Sequence, residues 1–346
     1  MTHHPTVRFI TRKWAPAVGG METYCLQLTK HIEDDVNLNI HTLPGNVDGS
    51  APGMFKILGF GLKMMFKLLA LPKTDVVHVS DMASWPLGLM ARLRRPKTHI
   101  VLSAHGSDLS FEQRSGFLPR IYKIYMRLGA LCLPRALILA NSKWIADLAT
   151  QKGFKDVRCV PLATDMPMRT PPVRTSRHLF YAGRIIRTKG MSFIINDVLP
   201  LLPDHLMLRV AGTVWEAEEG KALDHPRVTF LGQLGAEALA KEYGDALCVV
   251  VPSLAPEGFG LVAIEGALSG GVVLASNHTG LAETCDNGLG VLVTAGEAAA
   301  WAETILSTAN WSASERKDFI TRAQSQALKR YSWPRVAKDT LEAYRP

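Results

Sequence analysis

The chain alternates, almost from end to end, between short apolar runs rich in β-branched residues and amphipathic segments of helix length. The runs fall at 7–10, 37–43, 75–79, 99–103 and 136–140, then at 178–181, 207–211, 227–231, 246–251 and 272–275. Strands covered on both faces read as continuous apolar stretches, and strands joined through a helix lie parallel. The pattern therefore predicts an α/β fold with parallel sheets. About five or six strands per half exceed one comfortable sheet, which predicts two Rossmann-like domains. With 346 residues, 47% of them hydrophobic, each half is long enough for its own core. Residues 1–165 form the first expected domain and 166–332 the second. A linker is expected at 165–176, where Pro167, Pro171 and Pro172 interrupt regular structure. Tyr331-Ser332-Trp333-Pro334 reads as the start of a last helix.

In parallel sheets of this type, ligands bind beyond the carboxyl ends of the strands, so the residues that follow each run carry the functional signal. The most specific stretch follows run 246–251. Glu257 and Glu265 frame Pro256-Glu257-Gly258-Phe259-Gly260-Leu261-Val262-Ala263-Ile264-Glu265. This sequence is expected to turn at a strand end and enter a helix, leaving the amides of Gly258, Phe259 and Gly260 unpaired to face an anion. Glu257 is then placed to accept hydrogen bonds from sugar hydroxyls. Glu265, about two turns into the helix, is placed to reach a second hydroxyl-bearing group. A nucleotide sugar has that layout, two polyol ends joined by phosphates.

Three further strand ends fit the same ligand. Gly183-Arg184 to Lys189-Gly190 follows run 178–181, and two fixed cations there match a pyrophosphate whose charge grows as it departs. Arg187, between them, reads as a surface residue. His105-Gly106-Ser107-Asp108 follows run 99–103; His105 is positioned to meet a ligand, and Asp108 to orient it. Gly19-Gly20-Met21-Glu22 follows the first run after a loop. Paired glycines before a helix let backbone amides approach a phosphate, with a plain tight turn as the alternative reading. The loop is not a dinucleotide fingerprint, because the third glycine of G-x-G-x-x-G is missing.

Together these four stations resemble the retaining glycosyltransferases of family 4, which have the GT-B fold: two facing Rossmann-like domains with parallel sheets and a deep interdomain cleft. Pro252-Ser253 and His278-Thr279-Gly280-Leu281-Ala282-Glu283 extend the likeness. Where the family often has Pro-Asn-Gly-Val-Asp before the linker, this chain has Pro161-Leu162-Ala163-Thr164-Asp165, without the glycine. The resemblance implies that Arg184 and Lys189 hold the donor pyrophosphate. It gives Glu257 the donor sugar hydroxyls and Glu265 the ribose, with Gly183, Gly258, Phe259, Gly260 and Leu261 lining the donor. Gly19 and Gly20 would line the phosphates from the first domain, and His105 would contact the sugar near the reacting carbon. Asp108 and Glu22 are candidates for acceptor-contacting or orienting roles. Segment 333–346 would cross back onto the first domain. The implied reaction transfers a sugar with retention of configuration, without a metal or other cofactor, since no Asp-x-Asp motif sits at a strand end to hold a divalent ion. The implied role is in cell-surface polysaccharide or glycolipid synthesis. A sugar-nucleotide epimerase of the same fold is the alternative, and a nicotinamide-dependent oxidoreductase a more distant one.

Charge points to the acceptor. Residues 1–170 hold 22 Lys and Arg against 12 Asp and Glu, whereas residues 171–346 hold 17 against 19. Within the basic half, Lys56, Lys63 and Lys67 share one helical face of the apolar segment 53–73, the pattern of a helix lying in a membrane interface. The competing reading is a buried helix whose lysines snorkel outward. Arg92, Arg94, Arg95 and Lys97 add positive charge nearby. The expected partners are a nucleotide-sugar donor, a glycan or lipid-linked glycan acceptor and an anionic membrane surface. No nucleic-acid-binding motif is recognisable. Five cysteines without metal-ligand spacing, and no signal-peptide pattern, place the expected site of action in the cytoplasm, peripheral on the inner face of the cytoplasmic membrane.

Overall fold

The computed structural model describes residues 4–17, 19–47, 49–111, 116–170 and 178–345. The chain divides into two compact units, one of residues 1–163 with 333–346, the other of residues 164–332. Each is built around a six-stranded, wholly parallel sheet.

The first unit contains β1 (Thr6–Trp14), β2 (Asn37–Pro44), β3 (Val76–Val79), β4 (His99–Ala104), β5 (Leu137–Ala140) and β6 (Asp156–Cys159), in the order β2-β1-β3-β4-β5-β6. Two of the inner strands, β3 and β5, are buried at every position, as expected of a sheet covered on both faces. Strand order reverses between β1 and β3. The final helix, Trp333–Ala343, belongs to this unit. Its end is fastened by a buried relay in which His78 bonds the Tyr344 hydroxyl through Nδ1 and the Ser103 hydroxyl through Nε2, both at 2.7 Å. Trp333 is buried and stacks against His31, with ring centroids 5.7 Å apart.

The second unit contains β7 (His178–Ala182), β8 (Met207–Ala211), β9 (Val228–Gly232), β10 (Cys248–Val251), β11 (Val273–Ser276) and β12 (Val291–Val293), ordered β12-β11-β10-β7-β8-β9. This is the doubly wound Rossmann order, with the reversal between β7 and β10. The residues after those two strands are therefore neighbours in space although nearly 70 positions apart in sequence.

The expected linker lies partly outside the described residues, since 171–177 are not among them. Its described part is fastened to the second unit. Arg169 N donates to Leu268 O at 3.4 Å, the Ser269 hydroxyl to Pro167 O at 3.4 Å, and Gln324 Nε2 to Arg169 O at 2.8 Å. No helix among the described residues is long and apolar enough to cross a membrane.

Candidate functional site

The switch point of the second unit assembles the site. After β7 the chain passes through Gly183, at φ 151°, and Gly190, at φ 73°, conformations that favour glycine. Close approach adds to the requirement. A Cβ on Gly190 would stand 2.0 Å from Pro252 O, in the segment that leaves β10. Leu254 N donates to Thr188 O at 2.9 Å, locking the two strand-end loops together. That closeness brings Lys189, the last residue of a short 3-10 turn (Arg187–Lys189), against Glu257.

Lys189 Nζ donates to Glu257 Oε1 at 2.5 Å, and the Ser253 hydroxyl donates to Oε2 at 2.5 Å. Each carboxylate oxygen keeps a lone pair, so Glu257 can still accept hydrogen bonds from a ligand. Burial alone would raise its pKa. The Lys189 charge and the bonds from Lys189 and Ser253 outweigh burial and hold the carboxyl below the usual glutamate range. Glu257 is therefore an anion and an acceptor at neutral pH, not an acid.

Thr279 fixes the main chain of the same residue. Its hydroxyl accepts from Glu257 N and donates to Glu257 O, both at 2.9 Å, while Gly280 N donates to Glu257 O at 3.0 Å. Thr279 has φ 53°, an uncommon conformation for a β-branched residue, of the kind that persists only where the surroundings impose it. His278 Nε2 donates to Ser253 O at 2.7 Å and braces the other loop. The helix Leu261–Leu268 begins after Gly260, at φ 100°, and the amides of Gly258, Phe259 and Gly260 donate to no described residue. These three amides are thus unpaired at the helix start, which leaves their donors available. Glu265 stands little more than one turn into this helix, not two, because Leu261 rather than an earlier residue is its first member. Burial raises the Glu265 pKa, against a bond from the Tyr243 hydroxyl to Oε2 at 3.2 Å.

Arg184 is exposed, and its guanidinium lies over the Trp215 ring, 4.9 Å from the centroid. No carboxylate among the described residues pairs with it. It is thus a preoriented cation with its charge available. Arg187 is exposed, as expected. Sequence reasoning misses Trp215, and it meets Ser253, His278 and Thr279 only as parts of stretches that extend the family likeness, with no role of their own. For Thr279 and His278 the readable signal was the helix start after β11, in the run that ends at Glu283.

In the first unit, Gly19 precedes the helix Gly20–Ile32, and Glu22 folds back over it while meeting Lys13 Nζ at 3.5 Å. Asp108 braces the turn after β4 through the main chain. Oδ1 accepts from His105 N at 3.2 Å and Gly106 N at 3.0 Å, and Oδ2 accepts from Met82 N at 3.1 Å. Asp108 thus orients the backbone that carries His105, not the imidazole itself, whose nitrogens have no hydrogen-bond partner among the described residues. The Ser80 carbonyl faces the ring without reaching hydrogen-bond geometry, and Tyr24 packs edge-on at 4.6 Å. Burial lowers the His105 pKa to about 4, so the ring is neutral near pH 7. Burial likewise raises Asp108 to about 6.

A cavity of about 810 Å³ lies beside the switch point of this unit. Arg12 and Asp81, paired at 3.0 Å, are among its polar lining residues; Met54, Leu58, Met65 and Tyr122 are among its apolar walls. The helix Met54–Ala70 buries only Met64 and Leu68 fully, while Phe55 is 91% and Phe66 66% exposed. That exposure does not fit the alternative of a buried helix with snorkelling lysines. Arg94 Nε and an Arg95 guanidinium nitrogen donate to Leu69 O and Leu71 O, at 3.0 and 3.4 Å, so two of the expected lipid-facing cations serve the helix end.

Two family models match the chain, Glycosyltransferase Family 4 over residues 18–166 and Glycosyl transferases group 1 over residues 176–310. An uncharacterized glycosyltransferase of Methanocaldococcus jannaschii is 29% identical over 177 residues, 48% of this chain and 44% of that protein. A D-inositol 3-phosphate glycosyltransferase of Pseudarthrobacter chlorophenolicus is 31% identical over 233 residues, 60% of this chain and 55% of that protein. The chain thus spans about half the length of these relatives. Among solved structures, Anabaena HepE in complex with UDP and glucose superposes with a TM-score of 0.77 at 19% identity, covering 98% of this chain and 99% of that one. That likeness shows a shared fold.

Proposed function

The chain belongs to the family 4 glycosyltransferases, and on that premise we propose that it moves a sugar from a nucleotide-diphosphate sugar to a glycan acceptor, with retention of configuration. The observation that carries the proposal is the constellation at the second unit's switch point: Arg184 with its charge available, Lys189, three unpaired amides and an ionised Glu257. Two cations with amides suit a pyrophosphate. A fixed carboxylate suits sugar hydroxyls. Glu265, with Oε1 accepting no bond from a described residue, suits the ribose at the far end.

Breaking the bond from the anomeric carbon to the phosphate oxygen leaves negative charge on the departing nucleoside diphosphate. Arg184 and Lys189 are placed to stabilise it in the transition state. Lys189 already bonds Glu257, so an arriving phosphate shares that ammonium instead of meeting a freely moving one. Glu257 has a binding role in this scheme, and a double displacement would need a second carboxylate about 5 Å away. Retention is therefore assigned to attack on the face that the leaving phosphate vacates, with that phosphate accepting the acceptor's proton. The cations do the work that a divalent ion does elsewhere, which supports metal-independent transfer. The HepE complex with UDP and glucose is consistent with a uridine nucleotide as one donor to try. In the first unit, the exposed apolar and basic helix Met54–Ala70 supports a lipid-linked acceptor and peripheral attachment to the inner face of the cytoplasmic membrane, with a role in cell-surface glycan synthesis.

A thermal-shift screen of uridine- and guanosine-diphosphate sugars, run on the wild type, Glu257→Ala and Arg184→Ala, tests the donor site. One nucleotide class should stabilise the wild type, and each variant should lose about 1.5–3 kcal/mol of binding, the worth of a charge-assisted hydrogen bond. Equal shifts in all three proteins would contradict it. Product analysis then separates transfer, which yields a new glycoside, from epimerisation, which yields an isomerised donor.

A further inference from the structure

The helix Phe117–Cys132 carries a second exposed apolar stripe. Phe117, Ile121, Ile124, Leu128 and Leu131 recur at alternating spacings of four and three, which sets them on one helical face. All five are exposed, Phe117 by 74% and Leu131 by 75%. Arg120, Lys123 and Arg127 stand exposed along one flank, and none pairs with a carboxylate among the described residues. The helix Met54–Ala70 repeats the arrangement, with Phe55, Leu58, Leu62, Phe66 and Leu69 exposed beside Lys56, Lys63 and Lys67. Neither helix contains an acidic residue. The two also wall one cavity, the first through Met54, Leu58 and Met65, the second through Tyr122 and Tyr125.

We infer that these two helices form a paired face that docks on an anionic phospholipid bilayer, and that the cavity they share takes the apolar chain of an amphiphilic acceptor from that surface. Contiguous exposed apolar stripes mark an interaction site, and the charge beside them decides the partner. Pairing two copies of the chain through these stripes would crowd six cations per copy without a countercharge. An anionic bilayer supplies the countercharge at the headgroups and an apolar phase beneath them. Docked this way, the bilayer lies against both helices that wall the cavity. The cavity then offers apolar side chains to a hydrocarbon and the Arg12–Asp81 pair to a polar head. The docking claim stands on the first unit alone. The acceptor claim also rests on the glycosyl-transfer reading above.

Cosedimentation with vesicles of equimolar phosphatidylglycerol and phosphatidylcholine, and with phosphatidylcholine alone, tests the face. Wild type should pellet with the anionic vesicles only. Ile124→Glu with Leu128→Glu should weaken that binding about tenfold or more, with circular dichroism and melting unchanged because both side chains are exposed. Anionic vesicles that fail to pellet the wild type, or that pellet the double variant equally, would overturn docking; so would a wild-type dimer that this variant splits, seen by light scattering without vesicles. Gly61, which lines the cavity with open space before it, allows a separate test of the chain site. Gly61→Trp should cut calorimetric affinity for dodecyl phosphate about tenfold while leaving vesicle pelleting intact; equal affinity would overturn the chain site. Nucleotide-sugar binding on the same preparations keeps the two readings apart. Protein that pellets and binds no nucleotide sugar contradicts glycosyl transfer alone, and protein that binds donor and does not pellet contradicts docking alone.

Discussion

At the scale of single residues, other side chains fix both the charge and the main chain of Glu257. Lys189 and Ser253 hold the carboxylate, and Thr279 holds the amide and carbonyl. Thr279 makes the sharpest test. Its positive φ costs about 1–3 kcal/mol, which the two hydroxyl bonds to Glu257 help to offset. Thr279→Ser keeps both bonds and should match the wild type in donor affinity and melting temperature. Thr279→Val keeps the shape and loses both bonds, and should cost about 1–3 kcal/mol of stability with a parallel loss of donor affinity. Calorimetric titration and thermal melts of the pair decide the matter, and a valine variant as stable as the serine one would show that the hydroxyl is idle. Glu257, Lys189 and Arg184 were legible in the sequence because strand-end position narrows the choice of charged residues. Thr279 was not, because a positive φ on a β-branched residue arises from packing that no local pattern announces. Asp108 is legible as a residue of this turn, but its bonds go to amides, and a sequence does not distinguish a carboxylate that braces a main chain from one that touches a ring.

At the scale of elements, the ten apolar runs all became strands, and two more exist. The additional ones, β6 (Asp156–Cys159) and β12 (Val291–Val293), are the edges of their sheets. Each is short and pairs on one side only. Their exposed positions, such as Asp156 and Leu292, break the apolar run on which the reading depended. The helix Met54–Ala70 stood out through its three lysines on one face. Phe117–Cys132 did not, although its stripe is as long, because a 4-3 apolar spacing reads equally as a buried helix face. Only exposure separates the two cases. The first part of the final helix was legible from Ser332-Trp333-Pro334, whereas its attachment by His78, Tyr344 and Ser103 joins residues more than 240 positions apart.

At the scale of the whole molecule, buried and half-buried neutral histidines set an acid limit. Burial lowers His41 and His105 to about 4 and His78 to about 3 in the first unit, and lowers His178 to about 4 in the second. The unfolded chain binds protons at these sites from about pH 6.5 downward, while the folded chain does not until about pH 4. Stability therefore falls as the pH drops through that window. Asp108, raised to about 6, acts in the opposite sense between that value and its ordinary 3.8, as one group against four lowered histidines in its unit, His41, His78, His99 and His105. Melting temperatures should drop by several degrees between pH 7 and pH 5, and calorimetric scans that show no drop would contradict the assignment of neutral imidazoles at these sites. On the proposed function, the second unit grips a diphosphate between Arg184, Lys189 and the amides after Glu257. The most direct measurement is a crystal structure of the protein soaked with the nucleotide sugar that gives the largest thermal shift. The pyrophosphate should lie against Arg184 and Lys189, the sugar hydroxyls on Glu257 and the ribose on Glu265. A nucleotide bound away from these four residues, with the β7–β10 switch point empty, would contradict it.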